Sequence, residues 1–409
     1  MTSPTLSLCV PTYNRAAFLD YFLTHIAGAN FPFPIEIVVS DNASTDNTKD
    51  IIDTHIANGQ PISYYRHESN QGVTANYYSA LRRGRGRFVM YVADDDLLIP
   101  DALVEAVQFL MDNPRVMAAY APWILYDDVL KQDQLQFYHV DKNTIYEPGE
   151  EILLLKFIIE RHVFPEILVY RADAVRSLFI QGHFTFQFFM DLARVSGRGP
   201  VAFLAKPFYR SVTNSPLRRA GEQVGMGQVM TDWDTYRGGL EYFVYSSLRR
   251  AGADASAPDK LAIRDAIEKF LDVRMAVAQR LWLGKRDFVR AYEILCRRKF
   301  LTPAAVTTEA ASVGNIQRMV AFQSLARLAN MTVGIDRVVL ADLENMETMA
   351  GVLRDVGLDE RIAVEGAGNA AAAQTSLVLI HDEGTRQRCL DQGYMPGLIV
   401  SFDDLSAII

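Results

Sequence analysis

The first hundred residues repeat one pattern: a short β-rich run, a polar turn, then a stretch with helical periodicity. Residues 6–10, 35–40, 63–66 and 88–92 read as strands, three of them dominated by apolar or β-branched side chains. Between them, residues 16–26, 47–56 and 73–82 carry apolar positions at helical spacing. Asn14, Thr45 or Asp46, and Asn70 or Gln71 are the expected caps. Strand and helix alternating at this spacing imply a parallel sheet covered on both faces. In such a sheet the carboxyl ends of the strands share one edge, and ligands bind in the crevice outside it.

The pattern loosens downstream. A helix over 100–111 opens with Pro-Asp and stops at Asn113-Pro114. Strands at 116–121, 167–170 and 201–204 mix with helices at 150–160, 172–180 and 186–196. Residues 228–329 read as mostly helical, with breaks near Ala251-Gly252 and Thr302-Pro303. A last α/β segment, 337–409, has strand-like runs at 338–341, 362–364, 377–380 and 398–402. With 409 residues, 49% of them hydrophobic, the chain can fill more than one core.

Charge and cysteine usage narrow the function classes. A formal net charge of −8 argues against a nucleic-acid partner, although an acidic chain can hold local anion sites. Cys9, Cys296 and Cys389 lie far apart in no metal-ligand spacing and read as small buried hydrophobes in a reducing compartment. No apolar run approaches the roughly 20 residues of a membrane span. The start of the chain enters a strand pattern with no basic n-region, so no signal peptide is expected. These features lead to the expectation of a soluble, cytoplasmic protein.

Each of the first four strands ends in a polar cluster: Pro11-Thr12-Tyr13-Asn14-Arg15, then Asp41-Asn42-Ala43-Ser44-Thr45-Asp46, then Asn70-Gln71-Gly72, then Asp94-Asp95-Asp96. One such cluster is a turn with a cap. Four at corresponding positions converge on one cleft. The acidic triplet is the most loaded, because adjacent carboxylates repel and capping requires only one. A hard divalent cation such as Mg²⁺ removes that repulsion, taking one or two carboxylates plus substrate phosphates and water. If the triplet is extended, Asp94 and Asp96 face one side and Asp95 the other, so one carboxylate could hold the metal while a neighbour bonds a ribose hydroxyl. The N-terminal half has no P-loop and no G-x-G-x-x-G after its first strand. Phosphates would then be met by the metal and by helix N-termini. Tyr13 could lie against a base and Asp41 accept from a base N–H.

These residues carry a resemblance. The run 6–15, the run 36–46, Asn70-Gln71-Gly72 with Asn76, and Asp94-Asp95-Asp96 through Pro100 resemble the family 2 glycosyltransferases of GT-A fold, closely over about 5–125 and more loosely to about 215. The resemblance implies inverting transfer from a nucleotide-diphosphate sugar, by default a UDP- or dTDP-sugar, with Mg²⁺ or Mn²⁺ at the acidic motif. It implies that Pro11, Thr12, Tyr13 and Asp41 contact base and ribose, with Asn70 and Asn76 bordering the pocket. Asp95 would bond ribose or sugar, Asp96 would ligate the metal, and Asp94 occupies the position the family varies most. Arg15 ends the first motif and joins the same nucleotide-sugar site. Asp191 falls where the family's catalytic base stands, although Met190 replaces the first member of the usual acidic pair. After the Tyr209-Arg210 element, where many members have a further metal-binding histidine, this chain has Val212-Thr213-Asn214. Arg218 and Arg219 lie on a following loop that could clamp a diphosphate.

The expected layout is therefore a GT-A-like domain over 1–225 (nucleotide half 1–115, acceptor half 116–225), a helical region 226–330, and an α/β module 331–409. The acceptor would be a glycan, a lipid-linked saccharide or a protein side chain. Two other readings stand: a nucleotide-sugar-binding scaffold without catalysis, and a sugar nucleotidyltransferase, disfavoured because 11–15 is not a glycine-rich basic loop. Gly366-Ala367-Gly368 with Ala371, and Asp382 beyond the next strand, resembles a dinucleotide fingerprint, but the helical stretch is too short for a βαβ unit. The last segment reads instead as a module for packing, self-association or partner docking.

Overall fold

The structure is a computed structural model describing residues 3–178, 184–218, 226–252, 257–301, 310–341, 345–366 and 370–406. It divides into two compact units, Met1–Leu271 and Asp272–Ile409. The helical region expected at 226–330 is thus shared between them.

The first unit begins with β1 (Leu6–Thr12), α1 (Ala16–Ala27), β2 (Ile35–Asp41), α2 (Thr48–Ala57), β3 (Ile62–Arg66), α3 (Val73–Arg83) and β4 (Phe88–Tyr91). Next come β5 (Leu97–Leu98), α4 (Pro100–Asp112), β6 (Ala118–Tyr120), β7 (Ile124–Asp127), β8 (Gln132–Gln136) and β9 (Thr144–Tyr146). The acceptor half follows with α5 (Glu151–Glu160), β10 (Leu168–Arg171), α6 (Ala172–Val175), α7 (Gln187–Ser196), β11 (Val201–Phe203) and β12 (Tyr209–Asn214). The helices α8 (Met226–Thr231) and α9 (Trp233–Arg250) and the first half of α10 (Ala257–Gly284) close the series.

β1 is central because its side chains are apolar or small on both faces; every one but Pro11 is buried. α1 covers the sheet with Leu19, Phe22, Leu23 and Ile26 along one helical stripe. The main sheet runs β3-β2-β1-β4-β10-β6-β11-β9. The first four strands are parallel, as the alternation predicts. β10 is antiparallel to β4 and β6, and β9 is antiparallel to β11, so the whole sheet is mixed. A second sheet, β5-β12-β7-β8, was not anticipated; its strands are short, and β8 is polar and largely exposed. α9 stays with this unit because its glycines let it lie close on α7: a Cβ at Gly239 would sit 3.0 Å from Phe186 O. Phe270 of α10 packs on Phe164 and Phe189.

The second unit contains α11 (Phe288–Leu301), α12 (Ala310–Met331), β13 (Arg337–Leu340), α13 (Met346–Asp355) and β14 (Ala363–Gly366). It ends with β15 (Ser376–Ile380), α14 (Glu383–Asp391), β16 (Ile399–Ser401) and α15 (Phe402–Ser406). Its four strands, ordered β14-β13-β15-β16, are all parallel. Leu325, Val338, Leu340, Leu353, Leu377 and Leu379 form its core. Cys9 and Cys389 are buried as expected, whereas Cys296 is exposed. Among the described residues, no helix is long and apolar enough to cross a membrane.

Candidate active site

The polar ends of β1 to β4 meet, and they are tied to one another. Thr12 Oγ1 donates to Asp94 Oδ2 at 2.7 Å, joining the first and fourth clusters. Asn76 Nδ2, from α3, donates to Thr12 O at 3.2 Å and Ser40 O at 2.9 Å. Its Oδ1 is buried with no hydrogen-bond partner among the described residues. Asp46 accepts from Ala16 N–H at 3.0 Å and Thr48 N–H at 3.1 Å, so one carboxylate serves the starts of two helices. The N-caps themselves are Arg15, Asn47 and Gly72, each beside the expected residue and without a side-chain cap bond. Asn14 instead takes a left-handed conformation (φ 52°), which asparagine tolerates. Its side chain accepts from Thr45 N–H at 2.7 Å.

Asn42 organises the second and third clusters, and the sequence reading gave it no role. It is buried, donates to Asn70 Oδ1 at 2.8 Å and Gly72 O at 3.2 Å, and accepts from Gln71 N–H at 2.8 Å. Gly72 sits at φ 85°, where a side chain would be strained. Asp41 is buried, accepting from Ser44 N–H at 2.8 Å and Tyr64 O–H at 2.7 Å. Tyr13 is 41% exposed, so its ring is open to a ligand. Pro11 lies beside Thr12 on the same strand end.

The acidic triplet differs from its expected form. Asp94 and Asp95 lie in a turn, so the three carboxylates do not alternate. Arg15 bridges two of them, Nε to Asp94 at 3.1 Å and Nη2 to Asp95 at 2.6 Å. Arg218 also pairs with Asp95, and both guanidinium groups lie over the Phe18 ring. The repulsion that pointed to a cation is thus already relieved at Asp94 and Asp95 by arginines. Burial would raise Asp95, but Arg15 and Arg218 outweigh it and hold its carboxyl below the ordinary value. Burial pushes Asp94 up to about 7 against the pull of Arg15.

Asp96 has no such partner at hydrogen-bond distance. It accepts from Tyr209 O–H at 2.9 Å and Val212 N–H at 2.7 Å. Burial, and then the neighbouring charge of Asp95, raise it to about 8. β12 delivers both donors by pairing with β5 immediately after the triplet (Tyr209↔Leu98, Arg210↔Leu97). Tyr209 O–H also accepts from Ala93 N–H at 3.2 Å. Where a histidine was sought, the backbone of Val212 serves the acid instead. Arg210 points elsewhere, onto Asp133.

As a carboxylate, Asp96 would offer one hard oxygen ligand to Mg²⁺ or Mn²⁺, with phosphate and water completing the shell. Among the described residues no group of three or more His, Cys, Asp and Glu could hold a metal ion. Any cation here would depend on its ligand for most of its shell.

Asp191 is neither a cap nor an exposed base. It lies inside α7, whose N-cap is Phe186, and is 1% exposed. Both its oxygens face the Tyr78 hydroxyl, at 2.9 and 3.0 Å, with Arg194 Nη1 at 3.8 Å. Burial raises its carboxyl to about 7 despite these two partners. Arg218 is found on the acidic turn rather than on an open loop, and Arg219 lies outside the described residues.

A cleft built from the strand ends of an open α/β sheet, with an acidic turn after the fourth strand, defines a class. Residues 7–179 match the family described as glycosyl transferase family 2, and that segment is a domain of this family. The first unit accordingly has the α/β GT-A core with a mixed sheet; a helical region and a small parallel-sheet segment come later in the chain. Over 100 residues the chain is 38% identical to the abequosyltransferase RfbV of Salmonella typhimurium, covering 24% of this chain and 30% of that protein. Over 106 residues it is 34% identical to the GalNAc(5)-diNAcBac-PP-undecaprenol β-1,3-glucosyltransferase of Campylobacter jejuni, covering 26% and 34%. The chain thus spans about a third of the length of these curated relatives. Its path is similar to that of S. aureus TarS 1–349 in complex with UDP-GlcNAc, at 18% identity and a TM-score of 0.49 over 80% of this chain and 87% of that one.

Proposed function

We propose that this protein transfers a sugar, with inversion, from a nucleotide-diphosphate sugar to a hydroxyl of a glycan, lipid-linked saccharide or protein acceptor. The observation that carries the reading is the Thr12–Asp94 bond, which closes the first motif onto the acidic turn. The relatives named for sugar transfer support it.

In this reading Tyr13 stacks on the base, while Pro11, Thr12 and Asp41 line base and ribose. Asn70 and Asn76 border the pocket, with the unpaired Asn76 Oδ1 offered to a donor group of the ligand. Asp95 turns from its arginines to the ribose or sugar, and Arg15 and Arg218, once released, meet the diphosphate; Arg219 would add to them. Asp94 keeps Thr12 and Arg15 in place. Asp96 would hold Mg²⁺ or Mn²⁺, which when bound offsets negative charge on the leaving diphosphate. A UDP- or dTDP-sugar is the default donor. The second unit would serve packing, self-association or partner docking.

A screen of UDP- and dTDP-sugars for release of the nucleoside diphosphate, with and without Mg²⁺ or Mn²⁺, tests this. At least one donor is expected to be turned over, with a chelator slowing it. Binding without turnover of any donor would leave a scaffold, and turnover indifferent to chelator would remove the cation from Asp96.

A further inference from the structure

α1 turns one stripe to the sheet through Leu19, Phe22, Leu23 and Ile26, all buried. Phe18 falls outside that stripe and is only half-buried, so packing on the sheet does not account for a large aromatic there. Two cations do. The Arg15 guanidinium lies over the Phe18 ring at 4.5 Å from its centroid and that of Arg218 at 5.7 Å. Both are within the roughly 6 Å over which a ring face attracts a cation. Arg15 is the N-cap of α1, and Phe18 N–H donates to Arg15 O at 3.0 Å, so ring and first guanidinium share one rigid turn. Arg218 comes in on a separate tight turn, its N–H donating to Ser215 O at 3.2 Å.

The same two side chains converge on one carboxylate. Arg15 Nη2 and Arg218 Nη1 both reach Asp95 Oδ2. Arg218 Nη2 donates to Val212 O at 2.7 Å, while its Nε is buried with no hydrogen-bond partner among the described residues. That N–H is a donor in reserve, on a side chain only 7% exposed. Without the carboxylate, two like charges would remain side by side and repel each other. A second acid would hold them but would also repel an arriving diphosphate. A neutral ring does not. It attracts both guanidinium groups by its face and leaves their in-plane N–H groups free to donate to phosphate oxygens.

Resting on the proposed nucleotide-diphosphate donor, we infer that Phe18 is a positioning residue for the diphosphate. Its ring keeps Arg15 and Arg218 together while their partner changes from Asp95 to the ligand. Asp95 is then free to turn to ribose or sugar, and the leaving diphosphate meets two cations already in place. Phe18 touches neither base nor sugar. It acts through the two arginines, so its effect is confined to ligands that carry the phosphates.

The test uses the full chain and compares UDP or dTDP, whichever binds wild type more tightly, with its own nucleoside, by calorimetry and ligand-observed NMR. Phe18→Leu keeps apolar bulk but removes the ring face. It is expected to weaken diphosphate binding about tenfold and to leave nucleoside binding and melting temperature unchanged. Phe18→Tyr, which keeps the face, is expected to stay within about twofold of wild type. Phe18→Leu binding the diphosphate within about twofold of wild type overturns the inference. So does loss of fold, or equal weakening of nucleotide and nucleoside, either of which would make the ring a wall of the pocket. So does a Phe18→Tyr loss as large as that of Phe18→Leu. A wild type that binds neither diphosphate overturns both this inference and the donor it rests on, whereas undiminished binding by Phe18→Leu leaves the donor standing.

Discussion

The molecule contains two four-strand parallel arrays, β3-β2-β1-β4 and β14-β13-β15-β16, and among the described residues their strand ends are tied in different ways. Both place polar residues after their strands. In the first array those residues reach across: Thr12 to Asp94, Asn42 to Asn70, Asn76 to Thr12 and Ser40, Asp46 to Ala16. In the second, Asp382 folds back on its own helix, capping α14 by accepting from Thr385 N–H at 2.8 Å. The acid beyond β15 is a cap, and residues 367–369 of the glycine motif lie outside the described residues. Parallel topology provides an edge for ligands, but cross-loop pairing is what assembles one.

The sharpest way to break the contrast is to remove one acid from each array. Asp96→Asn is expected to reduce nucleoside diphosphate release about 10²–10³-fold, the scale of a lost electrostatic stabiliser, whereas Asp382→Asn leaves release unchanged. Equal losses in steady-state assays of the two would erase the distinction.

Next in size is a pH effect at Asp191. Its folded value of about 7 lies above the unfolded carboxylate range near 3.9, so the folded protein keeps a proton that the unfolded chain releases. The stability this contributes is full below about pH 4, falls as pH rises to about 7, and is constant above. The ceiling for three pK units is roughly 4 kcal/mol. Asp191→Asn lacks this slope, so urea melts from pH 4 to 8 should show the variant gaining on wild type as pH rises. Parallel curves would contradict the assignment.

Arg15→Ala leaves Asp94 without its basic partner and removes one of two from Asp95, at a cost of roughly 2 kcal/mol in chemical denaturation. Added Mg²⁺ should recover part of it if the acidic turn takes a cation. The smallest effect belongs to the second array: Asp382→Ala costs about 1 kcal/mol, the worth of an N-cap, read as a lower melting temperature with turnover intact.

Much of the first array was legible because alternation and strand-end polarity are local signals. β1 to β4 and α1 to α4 fall within a residue or two of the periodicity. The second sheet was not, since β5 and β12 are defined by each other, and two leucines before Pro100 carry no strand pattern of their own. The site shows the same division. Asp94, Asp95 and Asp96 announced themselves as a run, yet their charge balance depends on Arg15 and Arg218, 79 and 123 positions from the acids they pair with. Asn42 was hidden between the more obvious Asp41 and Asp46; its role exists only once α3 brings Gly72 to it. Asp191 was read from a motif, and motif position does not report burial.

The most direct test of a nucleotide-sugar cleft at the first array is a crystal structure of the full chain grown with UDP and Mn²⁺. The account predicts the base against Tyr13 near Asp41, the diphosphate at Arg15 and Arg218, and the metal at Asp96. UDP bound in the second unit, or Asp96 still held only by Tyr209 and Val212 with the nucleotide elsewhere, would contradict it.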